Sequence, residues 1–140
     1  MRIDHVEMFV PSRRKAADWY AEVLGFEVIQ EHLDWAEQGG PLMITNDGGN
    51  TMVALFKGAS QGTVEVRGLR RLAFRIDAAG FAAFVGTSGS WRSEPLGRPE
   101  IQDHDKSISV YFSDPWGNLL EVTTYESEKA RAALERSGIA

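Results

Sequence analysis

Along Ile3–Val10 apolar and polar side chains alternate and β-forming residues dominate, which predicts a strand beginning almost at once. Ser12 then offers a side-chain oxygen to the free amides of a following helix. Ala16, Ala17, Trp19, Tyr20, Val23 and Leu24 recur at helical spacing, and Gly25 stands where a left-handed cap residue ends such a helix. Phe26–Glu31 reads as a second strand. Leu42–Thr45 and Met52–Phe56 flank Asn46-Asp47-Gly48-Gly49-Asn50, residues that tolerate positive φ and so predict a hairpin turn.

The order then repeats. Lys57–Gly68 is glycine-bearing and aperiodic, and marks the joint between halves. Arg70–Ile76 is a strand, and Asp77 can cap a helix through Phe81, Ala82, Phe84 and Val85, which Gly80 weakens by roughly 1 kcal/mol against alanine. Thr87–Lys106, with Pro95 and Pro99, reads as loop with one short strand. Ser107–Phe112 and Leu119–Thr124 are strands joined by Asp114-Pro115-Trp116-Gly117-Asn118, a second turn signal. Ser127 caps a terminal amphipathic helix over Glu128–Arg136, with Gly138 beyond it. Superposing His5 on Arg71 brings Val10 over Ile76 and Ala17 over Ala83. Strand, helix, strands, twice over, is an α+β pattern of two similar modules.

Composition narrows the partners. The 140 residues are 43% hydrophobic and 25% charged, ordinary for one globular folding unit. The net charge of −5 leaves no basic face for a phosphate backbone, so nucleic acid is excluded as a partner. There is no cysteine, which removes disulfides, thiolate ligands and a cysteine nucleophile. Asp4, His5 and Glu7 interrupt the N-terminus, which rules out a signal peptide there. No run of about 18 apolar residues exists to cross a membrane. The expectation is a cytoplasmic domain. Arg13-Arg14-Lys15 is the solvated first turn of a helix, and Gly39-Gly40 and Gly48-Gly49 are turns, not phosphate cradles.

Three segments carry a resemblance. His5-Val-Glu-Met-Phe-Val with Trp19-Tyr20-Ala-Glu-Val-Leu-Gly-Phe26 resembles the entry to glyoxalase and bleomycin-resistance proteins. Gly68-Leu-Arg-Arg-Leu-Ala-Phe74 resembles the start of their second module. Val110-Tyr-Phe-Ser-Asp-Pro-Trp-Gly-Asn-Leu-Leu-Glu121-Val, the most specific of the three, resembles the closing hairpin of the vicinal-oxygen-chelate superfamily, which also includes extradiol dioxygenases and fosfomycin-resistance enzymes. The resemblance spans nearly the whole chain. It implies one domain of two βαβββ modules (about 1–58 and 68–125, then the helix at about 128–136) whose mixed sheets curl around a cavity, and a homodimer.

The resemblance also implies metal ligands at His5 and Glu121. A third ligand, usually histidine, belongs where this chain has Arg71, and the carboxylate of glyoxalase-type members falls on Ala54. Arginine is permanently protonated and has donors only, so it cannot ligate. At about 4 Å and an effective dielectric of 20 it would repel a cation by roughly 4 kcal/mol per unit charge. The expectation is therefore no cofactor, with one divalent ion (Fe, Zn, Mn or Ni) as the less favoured case.

Period-two alternation puts Arg71, Ala73 and Arg75 on one strand face, with Leu119, Glu121 and Thr123 on another and His5, Glu7 and Phe9 on a third. Arg71 between Glu121 and His5 would replace the cation by an ion pair. His5, Arg71, Glu121 and Tyr111 are the candidate catalytic residues. Each has a plainer reading: His5 an inert core histidine, Glu121 a vestigial ligand neutralised by Arg71, Tyr111 a packing tyrosine with a satisfied hydroxyl. Glu7 is expected to pair with Arg75 across neighbouring strands, and His104, between Asp103 and Asp105, to be a solvated loop residue. Trp35, Phe56, Trp91 and Trp116 suit an apolar or aromatic ligand as well as a core.

Three functions stay open: a metal-dependent lyase, dioxygenase or thiol transferase using His5 and Glu121; a metal-free enzyme in which His5 or Glu121 works as acid–base and Arg71 stabilises an oxyanion; and a resistance-type protein that sequesters a small aromatic or anionic molecule without chemistry.

Overall fold

The computed structural model describes residues 3–58, 71–88 and 99–139. They fall into two compact units, one on each side of the 59–70 stretch, each with its own four-stranded mixed sheet. The expected joint over Lys57–Gly68, the Gly68-Leu69-Arg70 opening of the second module and Trp91 lie wholly or mostly outside the described residues.

In the first unit β1 (His5–Val10) leads into α1 (Arg13–Leu24), β2 (Glu27–Val28), a 3₁₀ turn (Gln30–His32), α2 (Leu33–Glu37), β3 (Leu42–Thr45) and β4 (Met52–Lys57). The sheet order is β1-β4-β3-β2, with β1 parallel to β4 and the other pairs antiparallel. Ser12 accepts from the Lys15 amide at the start of α1, and Gly25 ends it at φ 67°, ψ 26°, its amide bonded to the Ala21 and Tyr20 carbonyls. α1 buries Ala16, Ala17, Trp19, Tyr20 and Val23. With Met8, Val10, Ile44, Val53 and Leu55 these make the unit's core. Each fully buried side chain of that size contributes about 1.5–3 kcal/mol. The Tyr20 hydroxyl is not orphaned in that core, since it donates to Met8 Sδ.

The second unit runs β5 (Leu72–Arg75), α3 (Ala78–Thr87), β6 (Glu100–Asp103), β7 (Ile108–Ser113), β8 (Leu119–Thr124) and α4 (Ser127–Arg136). Its order, β5-β8-β7-β6 with β5 parallel to β8, repeats the first sheet strand for strand. Phe81 and Val85 of α3 and Ala130 and Leu134 of α4 are buried together with Ile108, Val110, Phe112, Leu120 and Val122 of the sheet. The chain is α+β with two βαβββ modules, as its pattern predicts.

Three local expectations shift. Phe26–Glu31 is a strand only at Glu27–Val28; after the Ile29 amide bonds the Met43 carbonyl the backbone turns helical, because Glu31, His32 and Asp34 supply no buried alternate face. Ser127 lies inside α4 and makes no cap bond; the residue before it, Glu126, sends its carboxylate to the Ala78 amide at the start of α3. Glu7 and Arg75 stand on strands of different sheets, so they are not neighbours in any ladder: Glu7 lies 3.7 Å from His5 Nε2, and the Arg75 guanidinium sits 4.7 Å from the Tyr125 ring centroid.

Candidate functional site

The second sheet brings most of the expected side chains together. Strand register aligns Ala73, Glu121, Tyr111 and Glu100 in one row across β5, β8, β7 and β6. Arg75, Thr123, Ser109 and Gln102 form the next row. Alternation then sorts the faces, as in any pleated sheet. Leu120, Val122 and Thr124 are buried while Leu119, Glu121 and Thr123 are not, so the helices cover one side and the polar set occupies the other.

On that polar face Arg71, just ahead of β5, lays its guanidinium over Tyr111 with Cζ 4.3 Å from the ring centroid. The ring's negative face attracts the cation, a contact worth about 0.5–2 kcal/mol according to how dry it is. Arg71 Nε is buried and has no hydrogen-bond partner among the described residues, an uncommon state for a donor that is costly to desolvate. The Tyr111 hydroxyl shares a 2.8 Å hydrogen bond with His104 Nε2, the rings 6.0 Å apart and near perpendicular.

Glu121 is half-buried beside this group but is not held by Arg71. Ser109 donates to Glu121 Oε1 at 2.8 Å and lies 2.9 Å from Thr123 Oγ1, which in turn reaches the Ile108 carbonyl. No Arg71–Glu121 ion pair forms among the described residues. The carboxylate takes its hydrogen bond from a cross-strand serine, and the guanidinium takes an aromatic face.

In the first unit His5 opens β1 on the exposed side of its sheet, opposite Met52. Its Nδ1 donates to Asp4 Oδ2 at 2.7 Å, and Glu7 lies 3.7 Å from Nε2. The Asp4 carboxylate, chiefly through that hydrogen bond, holds the His5 pKa above its usual 6.5. Ala54 stands next to Glu7 in register. At the far end of β1 a depression of about 380 Å³ is lined by Pro11, Ser12, Arg13, Arg14, Ala36, Leu42 and Lys57; it is distant from His5 along the strand. Arg13 is committed there to the Ala36 and Gly40 carbonyls. Of the aromatic residues, Trp35 is part-exposed and stacked 4.1 Å from the His32 ring, and Phe56 packs against Phe9 at 6.2 Å.

The donors do not amount to a metal site within either unit. No group of three histidine, aspartate or glutamate side chains is placed to hold an ion among the described residues. Arg71 has only donors to offer and cannot ligate a cation. Sequence reasoning missed Ser109 as the partner of Glu121; His104 is the exposed loop residue it expected, with a hydrogen bond to Tyr111 that it did not foresee. The first was findable, since Ser109 shares Glu121's face two residues from Tyr111. The second depends on a turn that brings residue 104 back over residue 111.

The closing hairpin is built around Asp114, which is fully buried. Its Oδ1 accepts the Trp116 and Asn118 amides, its Oδ2 accepts Asn118 Nδ2, and Gly117 takes φ 92°. The Asp-Pro-Trp-Gly-Asn motif is therefore a turn that fixes β7 against β8, and so Tyr111 against Glu121.

Solved structures share this fold at low identity. A glyoxalase/dioxygenase from Nostoc punctiforme is 21% identical with a TM-score of 0.68, covering 89% of this chain and 90% of that one. The genomically encoded fosfomycin resistance protein FosX from Listeria monocytogenes is 15% identical with a TM-score of 0.66, over 93% and 98%. A glyoxalase/bleomycin resistance protein/dioxygenase from Alicyclobacillus acidocaldarius is 14% identical with a TM-score of 0.64, over 92% and 95%. No curated protein matches the sequence. The family model for the Glyoxalase/Bleomycin resistance protein/Dioxygenase superfamily matches residues 2–122, and with the duplicated βαβββ sheets this chain belongs to that superfamily.

Proposed function

We propose that this protein binds a small organic anion, aromatic or carbonyl-bearing, on the polar face of its second sheet, with Arg71 taking the place of a metal ion. The observation that carries this reading is the Arg71 guanidinium, parked over Tyr111 with a buried Nε that has no partner among the described residues. A bound carboxylate or enolate supplies the missing acceptor, and guanidinium suits such oxygens better than any other side chain. Glu121, satisfied by Ser109, borders the site and repels a second anionic group, which favours ligands with one charged end. The superfamily resemblance adds a homodimer and an intracellular small-molecule substrate to this proposal. The negative net charge makes nucleic acid a poor partner, and no helix among the described residues is long and apolar enough to cross a membrane.

The test is metal content of the purified protein, with thermal shifts on adding zinc, iron, manganese and nickel ions. The expected result is no stoichiometric metal and no shift, while Arg71→His gains affinity for at least one ion. Metal that binds the unaltered protein and is lost in Glu121→Ala would replace this reading by a metal-dependent lyase or dioxygenase. Sedimentation at micromolar concentration checks the dimer.

A further inference from the structure

Resting on the Arg71 reading, we propose that Tyr111 and His104 form a proton-transfer pair serving a ligand bound at Arg71, and that Arg131 is the positioning residue that holds the pair together. His104 owes its place to a constrained turn. Between β6 and β7 the His104 amide bonds the Ser107 carbonyl, the Lys106 amide bonds the His104 carbonyl, and the Asp105 amide bonds Asp103 Oδ1. Asp105 adopts φ 68°, the one positive φ outside glycine among the described residues. Such a conformation costs free energy and persists only where the surroundings enforce it.

Arg131 of α4 does the enforcing. Its Nε and one Nη bond both oxygens of Asp103, at 2.5 and 2.8 Å, and Nη2 also bonds the Asp105 carbonyl at 2.8 Å. A bidentate guanidinium–carboxylate pair is rigid in plane as well as strong. It ties residues 103 and 105 on either side of His104 to a helix whose Ala130 and Leu134 are buried in the core. His104 is an exposed turn residue, yet its backbone is fixed from both sides.

The chemistry follows from the order of groups. Tyr111 stands between the Arg71 cation on its ring face and His104 Nε2 at its hydroxyl. A ligand with an acidic C–H or O–H beside a carbonyl gives its proton to the Tyr111 oxygen as the phenol's own proton passes to His104 Nε2. The electron pair of the broken bond stays on the ligand as an enolate, which Arg71 holds, and the imidazolium is relieved when the proton returns. Nothing is oxidised or reduced. The substrate class is therefore an enolisable oxo acid, and the activity is isomerisation or proton exchange at the carbon next to its carbonyl.

Phenylpyruvate is the probe, with its binding and its benzylic deuterium exchange in D₂O followed together by NMR. The unaltered protein should bind it and speed exchange by about 100-fold or more over buffer, the ordinary reach of one positioned acid–base group. Tyr111→Phe and His104→Gln should return exchange to the buffer rate while binding holds within about threefold. Arg131→Ala should slow exchange without weakening binding, and Arg131→Lys should recover part of it; a purely structural role would lower both together. Bound phenylpyruvate with no accelerated exchange, or exchange that survives His104→Gln, overturns the pair and leaves the Arg71 site standing. Failure to bind, or binding unchanged in Arg71→Ala, overturns the site itself and the pair with it. The ¹⁵N shift of His104 in the ligand-free protein should move in Tyr111→Phe; no movement also overturns the pair.

Discussion

His5 and Asp114 show how differently two polar residues work when one is exposed and the other enclosed. His5 shares its proton with a neighbouring carboxylate in solvent, and its raised pKa depends first on the Asp4 hydrogen bond. Asp4→Asn is expected to bring the His5 titration, followed by NMR, back toward 6.5. A group raised on folding stabilises the fold below its unfolded pKa and loses that contribution as pH climbs through the folded value, so the small effect belongs to the acidic side. Asp114 is fully enclosed and accepts three hydrogen bonds. Asp114→Ala leaves the Trp116 and Asn118 amides without their acceptor, and an unfolding free energy lower by about 2–3 kcal/mol in denaturant titration is expected. Both residues were visible as motif members in the sequence. Burial, which decides between them, was not.

Among the elements, α3 shows why propensity misleads. Gly80, in the first turn of the helix, invites replacement, since alanine is better inside a helix by about 1 kcal/mol. An added Cβ, however, would fall 2.6 Å from Ile76 Cγ1 and Cδ1 and 3.1 Å from Asp77 Oδ1, the oxygen that caps the Gly80 amide. Gly80→Ala is therefore expected to leave the melting temperature unchanged or lower; a rise of about 3 °C or more, the gain propensity alone would bring, would show that Ile76 rotates away freely. The same region explains the misplaced cap on α4. Ser127 has the right chemistry for a cap, but Glu126 is drawn to Lys129 Nζ and to the amide of Ala78, and these contacts, Lys129 first, hold its carboxyl below the usual range. Strand positions were legible because period-two alternation survives on every strand that has one covered face. Phe26–Glu31 lacked that constraint past Ile29 and was overread.

At the scale of the whole molecule the Arg131–Asp103 clamp links α4 to the β6–β7 turn, and pH can open it. The Arg131 guanidinium, chiefly by hydrogen bonding, pulls the Asp103 carboxyl from 3.8 to about 2. A carboxyl lowered on folding stabilises above its unfolded pKa and loses that contribution as pH falls through the folded one, here between about 3.8 and 2. Arg131→Ala should therefore melt below the unaltered protein at neutral pH, with the gap closing near pH 2. A gap that persists there would mean that Arg131 stabilises through packing of its stem instead.

The α+β pattern and its duplication were legible in the sequence, because they rest on local periodicity and turn residues that need no distant partner; the superfamily was legible only through the resemblance of three motif segments. That Arg71 cannot itself ligate a cation was also legible there, since a guanidinium has no lone pair to give in any fold. Tertiary structure alone decided the partners. Ser109 rather than Arg71 satisfies Glu121 because strand register, not sequence distance, sets which side chains are within 3 Å. His104 joins Tyr111 because Arg131, 28 residues beyond Asp103, pins the turn that carries it, and no local pattern encodes that length of reach.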